Sequence, residues 1–318
     1  MTKPVTRVMA GRAVVCPKVA CPGYALRRLL APLAASLVLA GCSGGVLDPQ
    51  GPIATAEKTI LFNSLGIMLA IVIPTILTTL GVAWWFRASN ARARYLPDWE
   101  YSGRIEMVVW SIPTMTVLLL GGIAWVGSHD LDPPRPLAST TNPVEIQAVS
   151  LDWKWLFIYP EQGVATVNQL VVPVGAPLSF ELTADGVMNS FFVPQLGSQI
   201  YTMPGMVTRL HLQADQPGSY PGLSAQFSGD GFSKMHFTVE VVSPDKFTQW
   251  VNATRGKGQA LDPQSFAALA QPSEAVQPAA YGSVAQDLFQ AIVHPNVPPA
   301  GDQHADQPNM PPTMKMEN

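Results

Sequence analysis

Thiols are scarce in this chain, and the few it has are crowded at one end. Of 318 residues only Cys16, Cys21 and Cys42 are cysteines, so everything beyond position 42 is without a disulfide or a thiolate ligand. Charge is short as well: Asp, Glu, Lys and Arg make up 13%, against about 25% in an average soluble domain. A chain that poor in charge, with 47% hydrophobic residues, points to membrane spans. Positive charge is not in excess either. The net charge is −3, whereas a nucleic-acid partner calls for a basic face. What remains is long enough for two domains and a sizeable core.

The N-terminal stretch reads as a leader. Arg27 and Arg28 precede an apolar run over 29–40, and L-A-G-C follows at 39–42. A basic region, an apolar run of about 7–15 residues and small residues before a cut make a secretory signal. A Cys directly after Ala-Gly resembles the lipobox of bacterial lipoproteins. On that reading residues 1–41 are removed, Cys42 takes a lipid, and Cys16 and Cys21 are discarded. Met9 is an alternative start, and a chance Cys beside an ordinary signal is the plainer reading.

Two apolar runs follow, at about 60–86 and 105–127, each long enough to cross about 30 Å of hydrocarbon. They carry Pro74 and Pro113, which membrane helices tolerate, and Trp84, Trp85, Trp110 and Trp125 toward their ends. Between them lie Arg87, Arg92, Arg94 and Arg104 against Asp98 and Glu100. Positive residues stay inside, so this turn is cytoplasmic and both outer ends face the periplasm. Cys42 falls on the periplasmic side by an independent set of residues. Glu106 is the one acidic residue in the second run. Such a carboxylate either snorkels to the interface or handles protons.

After the Pro-rich linker 132–136 the pattern turns to alternation. Val144, Ile146 and Ala148 alternate with Glu145 and Gln147, and Leu178, Phe180 and Leu182 with Ser179 and Glu181. Leu210 and Leu212, then Phe237, Val239 and Val241, repeat it. Period-two strands between P-V-G-A-P, A-D-G and Q-P-G turns predict an all-β sandwich or barrel of roughly 110 residues over 140–243. An aromatic cluster, D-W-K-W-L-F-I-Y-P, follows the first strand, and its plain reading is core. From 244 to 295 the signals are helical. Ser243-Pro244 and Asp262-Pro263 look like helix starts, and Ser283 with Gln286 like a capping box before Leu288, Phe289 and Ile292. Residues 296–318 are Pro-rich and polar, the composition of a disordered tail. Its Met310, Met314, Met316 and His304 offer at most a weak copper site.

Between positions 188 and 235 the sequence has the spacing of a metal site without the ligands. Two helices before a β-domain resemble subunit II of the haem–copper respiratory oxidases. In the cytochrome c branch the β-domain is a cupredoxin with a dinuclear copper centre, and its loops read H-S-F-x-V-P-x-L-G and C-x-E-x-C-x-x-x-H-x-x-M. Here the first reads N-S-F-F-V-P-Q-L-G from Asn189, and the second maps onto Ser224, Gln226, Ser228, Phe232 and Met235. Only the Met survives. Dinuclear copper needs bridging thiolates and imidazoles, and a serine hydroxyl stays protonated near neutral pH. None of His129, His211, His236, His294 or His304 sits where it would rebuild the site.

That pattern is similar to the quinol-oxidising branch, the bo-type ubiquinol oxidases. Besides L-A-G-C, the matching stretches are R-A-S-N, V-V-W-S-I-P, S-L-D-W-K-W-L-F-I-Y-P-E-Q-G, M-N-S-F-F-V-P-Q-L-G-S-Q-I-Y and S-G-D-G-F-S. The resemblance implies a subunit without a cofactor of its own in a proton-pumping oxidase of the bacterial inner membrane. Haems and copper are then expected in a partner, subunit I, with further small membrane subunits, the lipid bilayer and ubiquinol as other partners. It also implies that Glu106 lies at a proton entrance and that Trp153 and Trp155 border subunit I. Two other readings stay open: a cytochrome c oxidase subunit that keeps its copper, and a lipoprotein that only assists assembly.

Overall fold

The structure is a computed structural model that describes residues 45–94, 96–139 and 141–294. The leader, Cys42 and the Met- and His-bearing tail lie outside these residues. Two long helices come first, α1 (Pro52–Trp85) and α2 (Gly103–Asp130). Both are long and apolar enough to cross a membrane, and neither has its apolar stretch buried by the rest of the chain. Pro74 and Pro113 interrupt neither helix. Thr75 and Thr114, each beside a proline, donate to the carbonyls of Ile71 and Trp110. At the far end of α1 the Arg87 guanidinium lies 4.7 Å over the Trp84 ring.

Helix α1 starts eight residues before the apolar run that marked it. Pro52 occupies the first turn, where its missing N–H costs nothing. That turn docks on the β-domain: Ala54 is buried and donates to the carbonyl of Leu196 at 3.3 Å. Just before it, Gln50 donates to Gln195 and accepts from Asp215, each at 2.8 Å. A Cβ at Gly51 would meet the Gln213 carbonyl oxygen at 2.1 Å, so only glycine allows this approach.

The β-domain begins with β1 (Val144–Leu151), β2 (Lys154–Tyr159), β3 (Val164–Val167), β4 (Gln169–Pro173) and β5 (Pro177–Ala184). It continues with β6 (Asn189–Phe192), β7 (Ile200–Thr202), β8 (Thr208–Gln213), β9 (Gly218–Ser224) and β10 (His236–Val242). The C-terminal segment adds α3 (Pro244–Lys257), β11 (Gln259–Leu261), α4 (Pro263–Ala270), β12 (Ala279–Val284) and α5 (Leu288–Val293). The larger sheet has the order β11-β12-β3-β2-β1-β5-β8, and the smaller β4-β10-β9-β6-β7. The expected architecture, a two-helix hairpin followed by a β-sandwich, is therefore what forms.

Between the sheets, Trp155, Phe157, Phe180, Phe191, Phe237 and Met235 share one core. A second core lies on the outer face of the larger sheet, where Val149, Leu151, Leu156 and Ile158 meet Leu261, Leu288, Phe289, Ile292 and Val293. This is why β2 is buried at every position. Strands covered on both faces lose the apolar–polar alternation.

The C-terminal segment departs from a purely helical reading. Ser243 and Asp262 are helix caps as expected, and Asp262 with Ser265 forms a capping box. Ser283 is not a cap. It lies in β12, which pairs antiparallel with β3, and α5 begins after a left-handed Asp287 without a side-chain cap. Pairing with the sheet outcompetes a local motif worth about 1 kcal/mol.

Candidate functional site

The smaller sheet sets the geometry of the emptied ligand positions. Pairing of β6 with β9 places Phe191 opposite Ser224, and Ala225 donates to the Ser190 carbonyl at 3.0 Å. At the neck of the following loop, Ser224 N–H reaches the Met235 carbonyl at 3.3 Å. Asn189 and Ser224 are 1% and 3% exposed, and the Ser224 hydroxyl donates to Asn189 Oδ1 at 2.8 Å. Two positions that hold metal ligands in the cytochrome c branch thus satisfy one another. Met235 has joined the core, with its side chain among the inter-sheet aromatics.

The rest of the loop is organised by Trp153. This residue takes a left-handed conformation, φ 67°, in the two-residue turn between β1 and β2. Its ring lies on the S-G-D-G stretch, and Nε1 donates to the Ser228 carbonyl at 3.1 Å. A Cβ at Gly231 would come within 2.3 Å of the ring. Glycine is therefore required here by close approach of an aromatic plane. Ser228 Oγ is buried without a partner, Gln226 is half-buried, and Phe232 sits in a 3-10 turn with its ring edge against Phe227.

These side chains do not fit copper. The donors at the mapped positions are amides, hydroxyls and one thioether, and the two best placed are engaged with each other. Among the described residues no group of three His, Cys, Asp or Glu side chains could hold a metal ion. A soft dinuclear centre needs thiolates and imidazoles, and the mapped positions supply neither.

Trp155 requires a correction. It was expected, with Trp153, to border a partner. It is 0% exposed, stacked on Phe157 and edge-on to Phe191. Its indole N–H finds no partner in that core. A fully buried ring offers nothing to a neighbouring subunit, so Trp155 is a core residue.

One charged group escaped the sequence reading. Lys154, between the two tryptophans, is 1% exposed. Its Nζ donates to the Gln271 carbonyl at 2.8 Å, Ser273 Oγ at 2.6 Å and the Asp152 carbonyl at 3.2 Å. Burial pushes the ammonium below the ordinary lysine range, and the Asp152 carboxylate partly opposes this. Nearby, burial and the Asp152 carboxylate raise Asp185 above the usual carboxylate range. Nothing local in the sequence reveals that residues 271–273 cover Lys154.

Glu106 lies in the first turn of α2, where a carboxylate favours the helix N-terminus. It is exposed, and one oxygen accepts from Trp110 Nε1 at 3.1 Å. At 1.5 Å per residue it stands about 36 Å along the helix from Asp130, where the chain turns to the β-domain.

Comparison with known proteins agrees with this architecture. The family described as cytochrome c oxidase subunit II, periplasmic domain, matches residues 161–242, and the COX aromatic rich motif matches 255–300. The fold and these matches define an oxidase subunit II. Cytochrome bo(3) ubiquinol oxidase subunit 2 of Pseudomonas aeruginosa is 49% identical over 82% of this chain and 79% of its own length. Ubiquinol oxidase subunit 2 of Acetobacter aceti is 49% identical over 82% of this chain and 85% of its own. A solved periplasmic domain of cytochrome oxidase subunit II from Bradyrhizobium japonicum aligns at 23% identity, over 36% of this chain and 96% of its own, with a TM-score of 0.34. On the first two relatives, the chain belongs to the subunit 2 family of bo-type ubiquinol oxidases.

Proposed function

We propose that this chain is the copper-free accessory subunit of a terminal oxidase that passes electrons from ubiquinol to oxygen and translocates protons. The observation that carries the copper-free reading is the Ser224–Asn189 hydrogen bond, which occupies the ligand positions with mutually satisfied polar groups. Quinol is a membrane-soluble donor, so it can reach haem in subunit I without a periplasmic copper relay. Haems and copper then belong to subunit I. The two helices fit an inner-membrane protein, with Cys42 as a lipid anchor on the periplasmic side.

The β-domain meets subunit I by its loop end. Val187, Met188, Met206, Val207 and Phe227 are exposed there, on loops at the same end of the smaller sheet, and Phe227 is 70% exposed. The half-buried Trp153 lies at this end and joins that contact. Glu106 stands at the opposite, cytoplasmic end of α2 and delivers protons toward subunit I. Supporting this role, it is the only carboxylate within that helix short of its last residue, Asp130.

Oxygen uptake by the purified complex tests the reading. Ubiquinol is expected to drive it and reduced cytochrome c is not. Tight copper at one or more per isolated chain would refute the copper-free assignment, and purification without haem or oxidase activity would favour a role in assembly only. Glu106→Gln is expected to slow turnover with haem content and assembly intact. Unchanged turnover would remove the proton role.

A further inference from the structure

The oxidase role leaves one built feature unused, at the outer end of the helical hairpin. A cavity of about 250 Å³ opens where α2 ends, lined by Asp130, Asp132, Arg135, Ser198 and His211 among others. An apolar groove of about 710 Å³ shares Asp130 and Leu131 with it and runs between the two helices. Ile60, Leu118, Leu119, Gly122 and Val126 line that groove. From Asp130 down to Leu118 the helix falls by about 18 Å, slightly more than half of the roughly 30 Å hydrocarbon layer. A cavity that bears charged groups therefore adjoins, through Asp130 and Leu131, an open apolar groove about one leaflet deep.

The charges in the chamber narrow the choice of occupant. It presents two carboxylates and one guanidinium. Arg135 Nη1 stands 3.5 Å from Asp130 Oδ1, with both side chains more than half exposed. Such a pair is weak and leaves the guanidinium available. Burial, with Arg209 nearby, holds His211 below the ordinary imidazole range, so it adds no cation at neutral pH. The chamber is thus slightly acidic around a single arginine. An anionic head group meets excess negative charge, whereas a zwitterion finds both partners. Arginine suits a phosphate oxygen pair, and an ammonium suits the carboxylates.

We propose that this chamber and groove bind a phospholipid of the phosphatidylethanolamine type from the periplasmic leaflet. Its phosphate sits on Arg135, its ammonium faces Asp130 and Asp132, and one acyl chain lies between α1 and α2. The proposal rests on the membrane-spanning reading of the hairpin and not on the proton role of Glu106.

The test is retention of lipid by the purified oxidase complex after detergent washing, read by native mass spectrometry. Phosphatidylethanolamine and phosphatidylglycerol vesicles are offered separately to the washed complex. The wild type is expected to retain one more phosphatidylethanolamine than either Arg135→Ser or Gly122→Leu, and to rebind it in preference to phosphatidylglycerol. Gly122 has open space where a Cβ would stand, so the leucine fills the groove without a clash in the chain itself. Gly81→Leu, also in open space on α1, is the control and is expected to keep the lipid. Equal binding of both lipids, or unchanged retention in both variants, overturns the proposal. So does a quinone recovered in place of the lipid, or a cross-link from Gly122→Cys to a helix of another subunit. Oxygen uptake with ubiquinol, followed in the same preparations, reports separately on the functional reading.

Discussion

The two ends of the β2 turn are held in opposite ways. On one side, Trp153 pins the emptied ligand loop with a single indole hydrogen bond and a ring pressed on two glycines. On the other, Lys154 ties the C-terminal segment to the sheet with two hydrogen bonds from a buried ammonium, to the Gln271 carbonyl and Ser273 Oγ, over a core that includes Phe289 and Leu288. The loop holds the mapped ligand positions, and the C-terminal cover holds none of them. Yet the cover is the more firmly held of the two. Ligands can leave a loop whose neck is fixed by sheet register, whereas stripping the cover would expose one whole face of β1, β2 and β3.

The comparison orders the expected effects. Phe289→Ala should cost most, about 3 kcal/mol, because it opens a cavity under the cover. Chemical unfolding of the full chain in detergent measures it, and a loss below about 1 kcal/mol would mean that the cover is not part of the cooperative core. Lys154→Met should cost about 2 kcal/mol, since it keeps the apolar stem but removes the ammonium's bonds to the Gln271 carbonyl and Ser273 hydroxyl. If the variant is as stable as wild type, the clamp contributes nothing net.

At the loop end the effects are smaller. Ser224→Ala should cost about 1 kcal/mol by leaving Asn189 Oδ1 buried without its donor. Pairing it with Asn189→Ala should cost less than the two single losses added together, as expected for groups that satisfy each other. Strict additivity would show that the 2.8 Å contact is energetically idle.

The smallest effect concerns pH. Asp185 has its folded-state pKa raised by burial and by Asp152. As pH rises from the ordinary carboxylate range near ~4, the unfolded chain releases this proton first, so the group lowers stability as pH passes through its folded value. At neutral pH that penalty is fully present. Asp185→Asn should therefore raise the melting temperature slightly at pH 7, and the gain should fade in acid. A gain that grows in acid would reverse the assignment.

Much of this was legible from short-range pattern. The Ser243 and Asp262 caps follow local backbone chemistry, and the spans follow from unbroken apolar runs. The donor set at positions 189, 224, 226, 228, 232 and 235 is a property of spacing and residue type alone. Other features were not. Trp153 and Trp155, two apart, should share one face of a strand. The left-handed backbone at Trp153 breaks that alternation, sending its ring to the loop while Trp155 enters the core. Strands β11 and β12 have little pattern of their own and exist because β3 offers an edge.

By itself, then, the sequence determined which segments meet lipid, where two of the later helices start and which ligands are lacking, since each depends on neighbours within a turn or a short motif. Tertiary structure decided that Lys154 is buried, that Trp155 is core and that α1 begins on the β-domain. Those outcomes depend on partners far along the chain, 117 residues away for Lys154 and Gln271, and burial is set by whatever finally covers a surface.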